Sequence, residues 1–346
     1  MTLTDLWFVV VAVLFTGYFV LEGFDFGVGM LMPLLGRGKM PEADIKRRVL
    51  LNTIGPVWDG NEVWLITGAG AMFAAFPGWY ATTFSAMYFP LLLILVGLIA
   101  RVVAIEWRGK INDPRWRRLC DAGIGLGSWL PAILWGVAFA NMLRGLPLNA
   151  DYQFTGSFAD LLSPYALLGG ATTCLLFLAH GALFLGIKTS GDIQSQVMRI
   201  AAWLSVPAGV AVAAFLLWTQ LSYGTGWTWV AVGAGLATAA ATIGAAFARR
   251  DGLGFAASVV TVIALGVSIF GSMYPVLVPS TTDHAHDLTT SVATSSHYTL
   301  TVMSWATLVV LPVVLGYQAW TYWVFRKRIS MSHIPPSIGL PVREQV

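Results

Sequence analysis

Charge is what this sequence most conspicuously lacks. Asp, Glu, Lys and Arg make up 11% of its 346 residues, against roughly 25% in soluble domains, which excludes an ordinary soluble globular fold. Basic clusters are short and scattered, so nothing marks a nucleic-acid partner. There are two cysteines and five histidines. Cys120 and Cys174 lie in no metal-type spacing, which predicts two free thiols, no disulfide and no metal centre. The two-residue alternation of a membrane barrel is also missing.

What is present is apolar. Hydrophobic residues form 57% of the chain, gathered into runs long enough to cross a bilayer, for which roughly 20 residues suffice. Nine such runs are read at about 6–33, 50–76, 80–105, 121–143, 163–187, 199–221, 227–247, 255–278 and 300–325. All are expected to be helical, because an open sheet edge in lipid leaves backbone polar groups unpaired. The fold class is therefore all-α and polytopic, with nine transmembrane helices. The first run has no basic segment before it and no small-residue cleavage site, and it reads as a retained helix rather than a signal peptide.

The basic residues orient the chain. Arg37, Lys39, Lys46, Arg47 and Arg48 follow span one; Arg108, Lys110, Arg115, Arg117 and Arg118 follow span three. Lys188 and Arg199 flank the link after span five, Arg249 and Arg250 follow span seven, and Arg326, Lys327, Arg328 and Arg343 close the chain. These are 18 of the 20 Lys and Arg residues, leaving Arg144 on the other side and Arg101 within span three. Basic loops stay cytoplasmic, so the N-terminus is placed outside and the C-terminus inside, as an odd span count requires.

Ionisable side chains inside a spanning helix are costly and mark function or a buried pair. Span one carries Glu22 and Asp25; span two carries Asp59 and Glu62. Each pair is spaced i, i+3 and shares a helix face. At 1.5 Å per residue, Asp59 lies roughly 13 Å deep, Asp25 roughly 12 Å and Glu22 roughly 16 Å. Four carboxyl groups thus gather on the cytoplasmic side of the midplane, with no Lys or Arg in their own two spans. Such groups would hold protons singly or share them. One reading is a proton relay from the cytoplasm, with Asp59 foremost; the other is a set of protonated carboxyls bridging helices.

Other polar positions read more plainly. Arg101 and Glu106 sit near the end of span three and are taken as helix-end ion pairing and snorkelling, with pairing to the first-half acids left open. Asp121 is expected to pair with Arg117, Arg118 or Arg101. His180 stands alone and reads as a hydrogen-bonded core histidine. Asp283-His284-Ala285-His286-Asp287 reads as a solvated loop. Gly23 and Gly27 form a small-xxx-small step for close helix approach.

The same residues carry a resemblance. Gly23-Phe24-Asp25-Phe26-Gly27-Val28-Gly29 and Trp58-Asp59-Gly60-Asn61-Glu62-Val63-Trp64 resemble the first- and second-helix signatures of subunit II of cytochrome bd-type quinol oxidases. Arg101-Val-Val-Ala-Ile-Glu106 and Ser296-His297-Tyr298-Thr299-Leu300-Thr301-Val302-Met303 also match that family. The resemblance implies a haem-free subunit without redox activity of its own. Its partner would be a subunit I carrying haem b and haem d, in a bacterial cytoplasmic (inner) membrane, in an enzyme that couples quinol oxidation to reduction of dioxygen to water. It further implies two four-helix bundles, at 1–145 and 160–279, a peripheral ninth helix at 299–328 and a cytoplasmic tail at 329–346. By the same analogy Asp59 lies on a cytoplasmic proton pathway; the reading of the residues adds Glu62, Asp25 and Glu22 as candidates for it, with Trp58, Asn61, Arg101, Glu106 and Asp121 as supporting polar groups. A structural quinone or lipid and a small single-helix accessory subunit complete what is implied.

Two other readings stay open on the residues alone. A proton-coupled secondary transporter would use the same acids, although transporters often repeat their broken helices in both halves, and here the Pro/Gly break and the acids of span two have no counterpart in the second half. A pure scaffold would keep the acids as structural groups.

Overall fold

A computed structural model describes residues 2–38, 41–335 and 339–340. Lys39, Arg343 and most of the tail beyond residue 335 lie outside the described residues. The elements run α1 (Leu3–Leu35), α2 (Glu42–Ile54), α3 (Trp58–Ala75), α4 (Pro77–Ala86), α5 (Tyr88–Trp107), α6 (Pro114–Arg144), α7 (Pro164–Lys188), α8 (Asp192–Ser222), α9 (Trp229–Phe247) and α10 (Asp251–Met273). A short antiparallel ribbon, β1 (Val276–Val278) with β2 (Leu288–Thr289), leads into α11 (Thr290–Ala293) and α12 (His297–Val324).

Among the described residues, eight helices are long and apolar enough to cross a membrane: α1, α5, α6, α7, α8, α9, α10 and α12. The expected second span is where the count parts. Instead of one helix over 50–76, the chain forms α2 and α3 with a break at Gly55-Pro56-Val57. Pro56 has no N–H to donate and its ring clashes with the carbonyl four residues earlier, so the helix stops and restarts. The expected third span divides likewise. Pro90 disfavours a continuous helix through Ala86, and α4 ends there before α5 begins at Tyr88. The stretch expected to be helical to 278 leaves α10 at Met273 and becomes β1.

α1 is the hub, lying against α3, α6, α7 and α10. Gly27 makes this possible: a Cβ there would stand 2.1 Å from the Phe177 carbonyl oxygen and 2.7 Å from the Gly181 Cα. The two backbones touch, as small residues allow in a membrane bundle. α12 is the opposite case, for Leu300 is its one buried residue. It is held by polar bonds: Trp7 Nε1 donates to Ser304 Oγ at 3.0 Å and Trp64 Nε1 to Gln318 Oε1 at 2.8 Å, and beyond its end Arg328 donates to Asp251 at 2.7 Å. Lipid is as apolar as a helix face, so in a bilayer such bonds count for more than apolar area.

At the end of the bundle rich in basic residues, α2 is clamped by an ion network. Arg108 Nε donates to Asp121 Oδ1 at 2.6 Å and its Nη2 to Asp44 Oδ1 at 2.8 Å. Arg47 reaches Asp121 at 2.9 Å and Arg117 reaches Asp44 at 3.0 Å. Asp121 therefore pairs with Arg108 and Arg47, not with Arg117, Arg118 or Arg101 as expected: the α2 break brings a helix across this end that a continuous span would have carried away. Burial opposes the charge on Arg108, but the Asp121 and Asp44 carboxylates outweigh it and hold the guanidinium protonated more firmly than in water. Arg108→Ala strips the central cation while Arg47 and Arg117 remain. The expected loss is about 2 kcal/mol, less than the 3–5 of a fully orphaned buried partner, and a lowered melting temperature of the purified protein checks it.

Candidate functional site

The site is built where α1, α3 and α5 meet. The i, i+3 spacing puts Glu22 and Asp25 on one face of α1, and both are fully buried. They take different partners. Glu22 accepts a hydrogen bond from Arg101 Nη1 on α5, and that guanidinium is itself fully buried, 5.0 Å from the Phe26 ring centre. Asp25 Oδ2 accepts from Asn61 Nδ2 on α3 at 2.7 Å. Asn61 Oδ1 in turn accepts from the Tyr322 hydroxyl on α12 at 2.6 Å.

The expectation of helix-end snorkelling for Arg101 is thus wrong. Its guanidinium points inward because α6 passes so close: a Cβ at Gly127 would stand 2.3 Å from the Gly97 carbonyl and 2.7 Å from the Arg101 Cβ. Glu106, one and a half turns on, is exposed and makes no ion pair among the described residues.

The second acid pair is less enclosed. Glu62 is partly buried and faces the charge of Arg101. Asp59 is exposed, in the first turn of α3 beside the Pro56 break. It lines a groove of about 320 Å³ between α3 and α12, together with Gly60, Trp64, Gln318 and Tyr322. Trp58 is partly exposed next to it. The four carboxyls therefore do not form one buried set. Glu22 and Asp25 lie inside, Glu62 at the boundary and Asp59 at a groove mouth.

Charge balance gives the cluster its chemistry. Arg101 faces Glu22, Asp25 and Glu62, one cation to three carboxyl groups, so the cluster is neutral when it holds two protons. An uncompensated charge here is costly. The arrangement can hold protons on carboxyls of two adjacent helices.

His180 has both ring nitrogens engaged. Nε2 faces the Val20 carbonyl at 3.0 Å and donates to it, and Nδ1 lies 2.7 Å from Ser258 Oγ. It is a core histidine stacked on Phe255. In the 283–287 loop, Asp283 caps the Ala285 N–H and Asp287 accepts from the Ser280 N–H, so the acids brace the turn. Among the described residues no three His, Cys, Asp or Glu side chains are grouped to hold a metal ion. Cys120 and Cys174 are free and buried.

Tyr322 escapes a reading by sequence. It sits among Trp320 and Trp323, whose place at a membrane interface accounts for aromatics without a specific partner.

Comparison with known proteins agrees along the whole length. The family model for cytochrome bd terminal oxidase subunit II matches residues 3–325. The chain is 42% identical over 335 residues to the cytochrome bd ubiquinol oxidase subunit 2 of Bacillus subtilis (strain 168), covering 95% of this chain and 97% of that one. It is 35% identical over 370 aligned positions to the cytochrome bd-I ubiquinol oxidase subunit 2 of Escherichia coli (strain K12), covering 95% and 96%. A chain of the bd oxidase structure from Geobacillus thermodenitrificans superposes with a TM-score of 0.77 at 17% identity, covering 94% of this chain and 99% of that one, and so shares the fold.

Proposed function

The chain belongs to the cytochrome bd terminal oxidase subunit II family, and we propose that it is the haem-free half of the enzyme, supplying part of the proton path. On this reading it stabilises a subunit I that carries haem b and haem d, and quinol oxidation is coupled there to reduction of dioxygen to water. Protons consumed in that reduction enter from the cytoplasm through this chain. With α2 and α3 together taken as one crossing, the spans number nine, the N-terminus lies outside and the C-terminus inside a bacterial cytoplasmic (inner) membrane. The nine group as bundles over 1–145 and 160–279 with a peripheral helix at 299–328 and a tail at 329–346. An apolar groove of about 810 Å³ beside α1, α10 and α12 is a seat for a structural quinone or lipid chain, and a single-helix accessory subunit completes the complex.

The observation that carries the proton path is the grading of the acids. Asp59 is open to a groove, Glu62 is half enclosed, and Asp25 and Glu22 are enclosed beside Arg101. Exposure falls stepwise from a collecting carboxyl to a buried store. The family placement argues against the transporter reading, and the groove at Asp59, leading past Trp64 to Tyr322, favours a path over a purely structural role.

In the assembled oxidase, Asp59→Asn is expected to slow oxygen consumption about ten- to a hundred-fold, the scale on which a positioned acid–base group acts, with haem content intact. Loss of haem would make Asp59 structural instead, and unchanged turnover would remove it from the path.

A further inference from the structure

We propose that Tyr322 is a positioning residue for the buried acids: through Asn61 it biases which oxygen of Asp25 holds a proton. The argument starts from the amide. Asn61 is fully buried, and its two ends are chemically opposite, one accepting and the other donating. Tyr322 donates to Oδ1 at 2.6 Å, while Nδ2 donates to Asp25 Oδ2 at 2.7 Å and faces the Leu21 carbonyl at 3.5 Å; the hydroxyl polarises the amide and strengthens the N–H that Asp25 receives. An ionised carboxylate oxygen accepts an N–H more strongly than a protonated one, so the bond from Asn61 disfavours a proton on Oδ2. A proton taken up by Asp25 is therefore favoured on Oδ1, which has no hydrogen-bond partner among the described residues.

The groups facing Asp25 are few. They are Glu22 on α1, Asn61 and Glu62 on α3, Arg101 on α5 and Tyr322 on α12. Nearby, α6 sets Ser128 against Gly29, and α7 sets His180 against the Val20 carbonyl. Within this set Asn61 is the link between Asp25 and Tyr322, with its NH2 toward Asp25 and the Leu21 carbonyl and its oxygen toward the hydroxyl. Tyr322 also borders both grooves flanking α12, so the peripheral helix reaches the buried acids through one hydroxyl. Without that hydroxyl the amide oxygen loses its donor and the N–H offered to Asp25 weakens, which opposes a proton on Oδ2 less.

The inference rests on the proposed proton path only for its effect on turnover, and the test separates the two. The assembled two-subunit oxidase is prepared as wild type, as Tyr322→Phe, and with 3,5-difluorotyrosine at 322, a stronger donor of the same shape. The infrared carboxylic-acid band of Asp25, identified by its absence in Asp25→Asn, is recorded with the pH profile of oxygen consumption. The expected result is a band displaced in Tyr322→Phe and displaced oppositely by the fluorinated residue. The profile of Tyr322→Phe is expected to move to higher pH by about half to one unit, the size of one hydrogen bond. A band unmoved by either change overturns the proposal. A band that moves while turnover keeps its profile supports the positioning by Tyr322 and removes Asp25 from the proton path.

Discussion

Arg101→Ala is expected to leave the protein unable to assemble stably, with little haem-bearing complex recovered from the membrane. The guanidinium is fully buried, and so is the Glu22 carboxyl with which it forms an ion pair. Desolvating both is expensive, and the pair is retained because each offsets the other. Removing one partner strands the second, at a cost of about 3–5 kcal/mol, a large part of the 5–15 kcal/mol that typically holds a domain together. Glu22→Gln in the Arg101→Ala background removes the stranded charge as well, and is expected to restore much of the lost complex. Recovery of haem per membrane protein, with the melting temperature of what is recovered, measures both. If Arg101→Ala assembles normally, the guanidinium is hydrated in the membrane and the buried pair is not a structural element.

Gly27→Val has the second largest expected effect. A Cβ at Gly27 would meet the Phe177 carbonyl oxygen at 2.1 Å, and one at Gly181 would meet the Gly27 Cα at 2.5 Å. Both obstacles are backbone, so no rotamer change relieves them. α1 and α7 must separate, and α1 is the helix that carries Glu22 and Asp25. The cost exceeds the usual 1–3 kcal/mol of an overpacked core, and Gly181→Ala is expected to follow it in a milder form. Gly233→Ala is the contrast. Nothing lies within 4 Å of the added atom on α9, so the higher helix propensity of alanine makes it neutral or stabilising by up to about 1 kcal/mol. Equal recovery of all three variants would mean that the seam between α1 and α7 is looser than its geometry.

These two residues also show how far the sequence could be read. Gly27 was legible as a close-approach position from its spacing to Gly23, yet which helix it meets was not, because spacing along one helix says nothing about the register of the next. The i, i+3 spacing correctly gave Glu22 and Asp25 a common face. Their separate partners depend on the placement of α5 and α3, and Arg101 read by depth alone belonged to a helix end. Asp59 was expected level with the buried acids. Depth counted along an unbroken helix ignores that Pro56 interrupts it, and the restart leaves Asp59 open to a groove. The spans themselves were readable because lipid imposes a length and an apolar composition. The exception is α3, where the polar residues that interest us dilute the signal. Tyr322 had no signal of its own, since an aromatic near the end of a span is what any membrane helix shows.

The central claim is that this chain works as the second half of a quinol oxidase and brings buried acids rather than a redox centre. Gentle solubilisation from its native membrane, followed by purification through a tag on this chain, tests it most directly. The account predicts co-purification of a haem-bearing partner with the red-region absorbance of haem d and with quinol-dependent oxygen consumption. A chain that purifies alone, colourless and competent in proton-coupled substrate uptake would contradict it.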